Sequence, residues 1–370
     1  MGPMGDDHSS SGRRAGRVTL KEIAEELGVT PMTVSNAYNR PGQLSAALRE
    51  RVFDTARRLG YGGPDPTARG LRRGHTGAVG VVYDSRLSYA FGDAAAVSFL
   101  RGVSEATEEE RLGLLLVPGS STQERDGGVV GAAMVDGFVV YSVAEDDPLV
   151  RAALERGLPL VVVDQPRVTG VPFVGIDDEA AARAAAAHLL DLGHRRFGVV
   201  SFGLAHDGWK GFISLERQRS SPYRVSRARL EGYAAALTAA NVPWSRVPVF
   251  ECPGSERSLG RMAARALLSD HRRPTAVLAT SDELALGVLG AAAEAGLSVP
   301  RDLSVVGFDD VSESARSDPP LTSVGQDHGE KGRLAGRLLI ERLGGEATES
   351  PEPLASWLVV RSSTAPPPGS

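Results

Sequence analysis

Residues 18–39, VTLKEIAEELGVTPMTVSNAYN, hold two short helical patterns joined by a tight turn. Thr19 is a good N-cap, and Glu22 three residues later completes a capping box. Leu20, Ile23, Ala24 and Leu27 then recur at helical spacing and form one apolar face. Gly28 ends this helix, because glycine enters the left-handed conformation without a Cβ penalty. Thr30 caps a second helix, and Pro31 suits its first position, where no amide donor is needed. Val34, Ala37 and Tyr38 face inward, which leaves Met32, Thr33, Ser35, Asn36 and Asn39 on the outer side. This is the layout of a helix-turn-helix, whose second helix enters the major groove of DNA. A plain helical hairpin is the alternative reading of the same pattern.

The flanking residues favour the first reading. Pro41 closes the second helix. Ser45 caps a third, Ala46 to Leu59, with Leu48, Val52, Ala56 and Leu59 inward. The stretch from Arg13 to His75 carries 12 Lys/Arg against 6 Asp/Glu, a net of +6; residues 1–12 carry −2, which leaves −9 for the rest of a chain of net charge −5. A basic head on an acidic body suits a nucleic-acid module attached to a domain that stays off the polyanion.

Three segments carry a family resemblance: residues 18–39, LSAALRERVFDTARRLGY (44–61) and ARGLRRG (68–74). In order and spacing they resemble the LacI/GalR family of ligand-responsive transcription regulators, and the likeness extends to about Arg361. The resemblance implies a helix-turn-helix domain (18–62), a hinge helix and linker (63–75), and an effector-binding and dimerisation domain of two α/β subdomains (76–363); composition predicts a disordered arm (1–17), rich in Gly, Ser and Asp, and a disordered tail (364–370) with three prolines and a glycine. It implies that the hinge around Ala68, Leu71 and Arg72 folds when two copies meet on DNA, with Leu71 wedged into the minor groove. Thr19, Ser35, Asn39 and Ser45 are expected at phosphates, which position the protein without specifying sequence. Pro31, Met32, Thr33 and Asn36 are expected towards the bases. Asn36 stands where relatives often carry Arg, and Asn pairs with adenine where Arg favours guanine.

From Ala78 the pattern changes to short β-branched runs alternating with Ala/Leu-rich helices. The runs are 79–83, 113–117, 137–141, 160–163, 173–176, 197–201, 247–251, 276–279 and 303–307. Helical stretches lie at 95–110, 149–156, 179–192, 226–240, 258–270, 283–295 and 330–343. Continuous apolar strands between helices indicate parallel sheets covered on both faces. The expected fold is therefore an all-α head plus a periplasmic-binding-protein-like body of two doubly wound parallel-sheet subdomains. The family implies three crossings between the subdomains, near 164–172, 281–286 or just after it, and 323–327.

Ligands of open α/β sheets bind beyond the carboxyl ends of strands. That rule alone selects Asp84, Asp164, Ser281-Asp282 and Asp309-Asp310. The resemblance adds roles: Asp164 and Gln165 in VVVDQP, Arg227 in SRARLEGY with Arg229 structural, Ser281 in TSDELALG, Asp309 in VVGFDD and Gln326 in SVGQD, all at the effector. Tyr89, Phe91, Trp209 and Phe308 are the aromatic candidates. Carboxylates, an Arg, an amide and an aromatic face suit a sugar-like or other polar metabolite. Gln165 for Arg and Ser281 for Asn depart from sugar-binding relatives. The long segment 203–223 either selects the effector or is an exposed insertion.

Several classes are disfavoured. There is no HExxH, Gly-x-Ser-x-Gly, P-loop or post-strand Gly-x-Gly-x-x-Gly, so neither an enzyme nor a cofactor or metal is expected. One cysteine, Cys252, allows no internal disulfide, and no apolar run reaches membrane-spanning length. The N-terminus lacks a secretory signal, so a cytoplasmic, nucleoid-associated protein is expected. The body would also fit a solute-binding receptor of a transporter; the basic head argues against that. No leucine heptad follows Arg361, which favours a homodimer on a roughly palindromic operator.

Overall fold

The computed structural model describes residues 18–63, 74–84, 90–119, 127–269 and 273–369. Two compact units divide the chain at Thr76/Gly77.

The head contains α1 (Leu20–Leu27), α2 (Pro31–Asn39) and α3 (Ala46–Leu59), with a single 3₁₀ turn between the last two. Thr19 and Glu22 form the reciprocal capping box: Thr19 N donates to Glu22 Oε2 at 2.7 Å and Glu22 N to Thr19 Oγ1 at 3.4 Å. Gly28 and Gly60 end α1 and α3 at φ 67° and 76°, where any side chain would be strained. Ile23, Ala24, Val34, Ala37, Val52 and Ala56 are buried together. Tyr38 meets Phe53 and Tyr61 edge-on, at 5.0 and 6.0 Å between centroids. The predicted hinge, with Ala68, Leu71 and Arg72, and the arm 1–17 lie outside the described residues.

The body starts with β1 (Ala78–Tyr83), α4 (Ala94–Glu109), β2 (Gly113–Pro118), α5 (Gly128–Ala132), β3 (Gly137–Tyr141), α6 (Pro148–Glu155), β4 (Leu160–Val163) and β5 (Phe173–Val174). These strands make one parallel sheet in the order β2-β1-β3-β4-β5. Then follow α7 (Asp178–Asp191), β6 (Phe197–Ser201), β7 (Gly211–Phe212), α8 (Leu215–Arg219), α9 (Arg224–Ala239), β8 (Val249–Glu251), α10 (Arg257–Leu268), β9 (Ala276–Ala279), α11 (Asp282–Glu294), β10 (Ser304–Asp309), β11 (Thr322–Gln326), α12 (His328–Leu343) and β12 (Ser356–Val359). The second sheet runs β12-β11-β10-β9-β6-β8-β7, parallel at its centre with antiparallel strands at both edges. The central strands are buried on both faces, which is why they read as unbroken apolar runs.

The subdomain crossings differ from expectation. The first falls after β5, at 175–177, rather than within 164–172. The third, at 326–328, stands where it was expected. None occurs at 281–286, because α11 joins β9 and β10 of the same sheet. The remaining crossing is instead at 344–355: α12 packs on the first sheet, with Leu338 and Leu339 in its core, and the chain then returns to β12.

α12 reaches the first subdomain by a very close approach to α4. A Cβ on Gly102 would stand 2.0 Å from the carbonyl oxygen of Gly329, and one on Gly332 2.1 Å from that of Phe99. Only glycine permits these backbones to touch.

The tail is a second correction. Ala365 N donates to Ser304 Oγ at 3.0 Å, the Ala365 carbonyl lies 2.8 Å from His194 Nε2, and Thr364 Oγ1 is 3.0 Å from His188 Nε2. These contacts outweigh the mobility that three prolines and a glycine suggest.

Candidate functional site

Each unit has one surface where the predicted residues gather. On the head, α2 exposes Pro31 and, most of all, Met32, 68% exposed. Thr33, Ser35 and Asn36 are partly exposed beside them. Asn39 Nδ2 donates to Ser35 O at 3.0 Å and lies 3.2 Å from Ser35 Oγ, and Thr33 Oγ1 pairs with Thr30 Oγ1 at 2.9 Å. The amide of Asn36 makes no hydrogen bond among the described residues, which leaves it available to an outside partner. Thr19 and Ser45 cap α1 and α3, so their hydroxyls sit at helix N-termini, where anions are favoured.

On the body, the carboxyl ends of both sheets face a cleft of about 470 Å³. Asp84, Asp164, Gln165, Ser281 and Asp309 line it, as expected. All five are engaged by partners distant in sequence. Asp164, at φ 64°, is paired with the buried ammonium of Lys331. Gln165 Oε1 accepts Val225 N at 2.8 Å, joining the end of β4 to the start of α9. Ser281 caps α11 through Leu284 N and bonds Ser255 Oγ at 2.6 Å. Gln326 stands behind the wall rather than in it: its Nε2 donates to Asp309 Oδ1 at 2.7 Å and its Oε1 accepts from Lys331.

The arginine assignment is reversed. Arg227 turns away from the cleft to Glu145, at 3.1 Å, and to the carbonyl of Ser221. Arg229 is the guanidinium that lines the cleft. It lies over the ring of Phe308, 3.6 Å from the centroid, bonds Asp178 Oδ1 at 3.0 Å and Thr280 O at 2.6 Å, and stands 3.7 Å from Asp309. The two positions are about 200° apart around a helix, so only one can face inward. The aromatic candidates also sort differently. Phe91 is 62% exposed and does not line the cleft; Trp209 is on the surface beneath Arg217; Phe308 is fully buried under Arg229; Tyr89 lies outside the described residues. The aromatic walls are instead Tyr83, Tyr141, Phe202 and Tyr223.

Sequence reading missed Asp93, His206, Tyr223 and His328, which also line the cleft. Asp93 N-caps α4, a role hidden because it stands too far along the chain from the end of β1 for the strand-end rule to select it. Both ring nitrogens of His328 are buried without a well-formed hydrogen bond, although Nε2 lies 3.5 Å from Asp309 Oδ1. The segment 203–223 is a built part of the wall: β7 pairs with β8, and Arg217 forks onto Asp207 and the buried Glu251.

The charges of the cleft are strongly coupled. Burial would raise the pKa of Asp309, but His328, Arg229 and Gln326 together hold it below the usual carboxylate range. Asp93 is pushed up, first by burial and then by the charge of Asp309. Asp282, behind the wall, is raised to about 7 by burial and by Asp309, against hydrogen bonds from Ser314, Ser323 and Val311 N. A cleft of this kind offers several acceptors, one stacked guanidinium and aromatic faces, which fits a polar, hydrogen-bonding solute.

Comparison with known proteins matches a family to each of the two units. Residues 19–63 match the family described as bacterial regulatory proteins, lacI family, and residues 186–364 match the periplasmic binding protein-like domain. An HTH-type transcriptional regulator of Mycobacterium tuberculosis is 46% identical over 329 residues, covering 88% of this chain and 91% of that one. The crystal structure of a LacI-family transcriptional regulator from Corynebacterium glutamicum superposes with a TM-score of 0.74 at 38% identity, over 95% of this chain and all of that one. The transcriptional regulator CelR, in its complex with cellobiose, superposes at 0.66 and 30% identity, over 94% of this chain and all of that one. Among the described residues, no helix is long and apolar enough to cross a membrane. The exposed face of α2 and the solute-sized cleft thus have one explanation: this chain belongs to the lacI family of DNA-binding transcriptional regulators, with an effector-binding body.

Proposed function

We propose that the protein is a repressor whose two copies bind a roughly palindromic operator and respond to a polyhydroxyl effector held in the cleft. The reading is carried by Arg229, stacked on Phe308 and 3.7 Å from Asp309, in a cleft whose other groups are mainly hydrogen-bond acceptors. Hydroxyl pairs donate to Asp84, Asp93 and Asp309, Arg229 donates to ring or hydroxyl oxygens, and Tyr83 and Tyr141 offer apolar faces. Gln165, Ser281 and Gln326 act mainly by holding the walls in place. CelR, a relative of similar length, is known in complex with cellobiose, which supports this class of solute.

On DNA, Pro31, Met32, Thr33 and Asn36 face the bases; Thr19, Ser35, Asn39 and Ser45 contact phosphates; and Ala68, Leu71 and Arg72 form the hinge. Effector and operator are linked through closure of the cleft, each changing the affinity for the other by the same factor. The chain works in the cytoplasm, where its DNA is, and has no catalytic role. Genomic DNA selection with the full chain tests the first half of this proposal. It should recover inverted repeats, with binding that weakens steeply with salt. A thermal-shift screen of residues 77–370 against sugars, polyols and sugar phosphates tests the second half. Selection that recovers no symmetric site, or a screen in which only anionic metabolites bind, would replace the corresponding half.

A further inference from the structure

The mouth of the cleft brings together three metal-ligating side chains from three segments. Asp84 follows β1, Asp147 caps α6, and His206 comes from the wall segment 203–223 of the other subdomain. One ligand atom from each lies within 4.8 Å of the other two. His206 Nε2 is 3.0 Å from Asp84 Oδ1 and 3.6 Å from Asp147 Oδ2. Donors around a tetrahedral ion with bonds of about 2.0–2.1 Å stand roughly 3.4 Å apart, so the imidazole already stands near ligand spacing from each carboxylate, and the two carboxylates need close only the remaining gap between them.

The surroundings favour a cation. Asp147 uses Oδ1 to cap Leu149 N at 2.8 Å, which turns its Oδ2 towards the imidazole. Tyr223 Oη donates to Asp84 Oδ2 at 2.7 Å and also meets His206 Nε2, a contact the imidazole exchanges for the ion; the two rings pack edge-on, 5.1 Å between centroids. Carboxylates oriented in this way by outer hydrogen bonds are typical supports of a metal shell. Asp146 precedes Asp147 and adds to the negative potential, whereas Glu145 is paired with Arg227.

We propose that Asp84, Asp147 and His206 form a divalent transition-metal site at the cleft mouth, joining one subdomain to the other. One imidazole with two carboxylates suits Zn²⁺ and its neighbours, whereas Mg²⁺ and Ca²⁺ demand more oxygen ligands. A bound ion holds the mouth shut and so acts on the same closure as a solute deeper in the cleft. Its existence does not depend on DNA binding or on the identity of that solute.

The test is calorimetric and thermal titration of the full chain with ZnCl₂, with MgCl₂ as comparison. The wild-type chain should bind one Zn²⁺ with an affinity that both His206→Ala and Asp147→Asn weaken at least 10-fold. Asparagine keeps the α6 cap, and His206 is partly exposed, so both variants should fold. At a Zn²⁺ concentration that just saturates the wild type, its melting temperature should rise by roughly 5 °C, reversibly with EDTA, and that of either variant by clearly less. Anomalous scattering at the zinc edge should place the ion between the three side chains. No saturable binding, binding that both variants retain, or an ion found elsewhere would overturn the proposal; the three groups would then be a hydrogen-bonded latch alone.

Discussion

Arg229 lies flat on Phe308, 3.6 Å from its centroid, and holds the carboxylate of Asp178 at 3.0 Å from below. Side chains of Arg229 and Asp178 are only 6% and 2% exposed. Removing one member of such a pair strands a buried charge. Arg229→Ala should cost about 3–5 kcal/mol in urea unfolding. Arg229→Lys keeps the charge but loses both the planar stack and the fork, so it should fold and still lose most effector affinity by calorimetry. Unaltered effector binding in the lysine variant would remove Arg229 from the site.

Asp282 gives the body a pH dependence of known sign. Its folded pKa, raised to about 7, lies above the ordinary value of 3.8, so the folded state prefers the neutral acid. Its contribution is complete below the ordinary value and is lost as pH rises through about 7. Asp282→Asn imitates the neutral form. Relative to wild type, its stability should therefore improve between pH 5 and pH 8, by an amount of order 2–4 kcal/mol in chemical unfolding. A difference that is constant across that range would show Asp282 ionised throughout.

The α4–α12 contact predicts a steric effect without any charge. Gly102→Ala places a methyl 2.0 Å from a backbone oxygen, where no rotamer can relieve it. The cost should be about 2–3 kcal/mol. Gly131→Ala, on the open surface of α5, is the control and should be neutral or mildly stabilising. Melting curves of the two variants decide this.

Asn36 should set a base preference. With its amide free of local partners, it can pair bidentately with adenine; Asn36→Arg should move that position towards guanine, with a discrimination of about 1–3 kcal/mol. Binding selection with both proteins reads the change directly. Identical logos would place Asn36 away from the bases.

Much of the body was legible because its central strands are buried on both faces. GFVVY (137–141) and LVVV (160–163) coincide with β3 and β4. β11, TSVGQ (322–326), escaped for the opposite reason: apart from Val324 its buried side chains are polar and are satisfied by distant partners, Ser323 by Asp282 and Gln326 by Asp309. No local period announces such a strand. β12 is an antiparallel edge and β7 only two residues long, so neither carries a buried run. In the site, strand-end residues were readable from position alone. The choice between Arg227 and Arg229 was not, because it depends on which face of α9 meets Asp178. His206 and Tyr223 come from a segment with no periodicity, positioned by Arg217, Asp207 and Glu251.

The placement of α12 on the first sheet has a consequence for dissecting the protein. A fragment ending at residue 177 would hold all five strands of that sheet but leave Val79, Phe99 and Val103 without the leucines that cover them. The complementary fragment would carry an orphan amphipathic helix in its middle. Neither lobe is a contiguous gene segment, so each should aggregate when expressed by itself, and mixing the two should restore soluble material by fragment complementation.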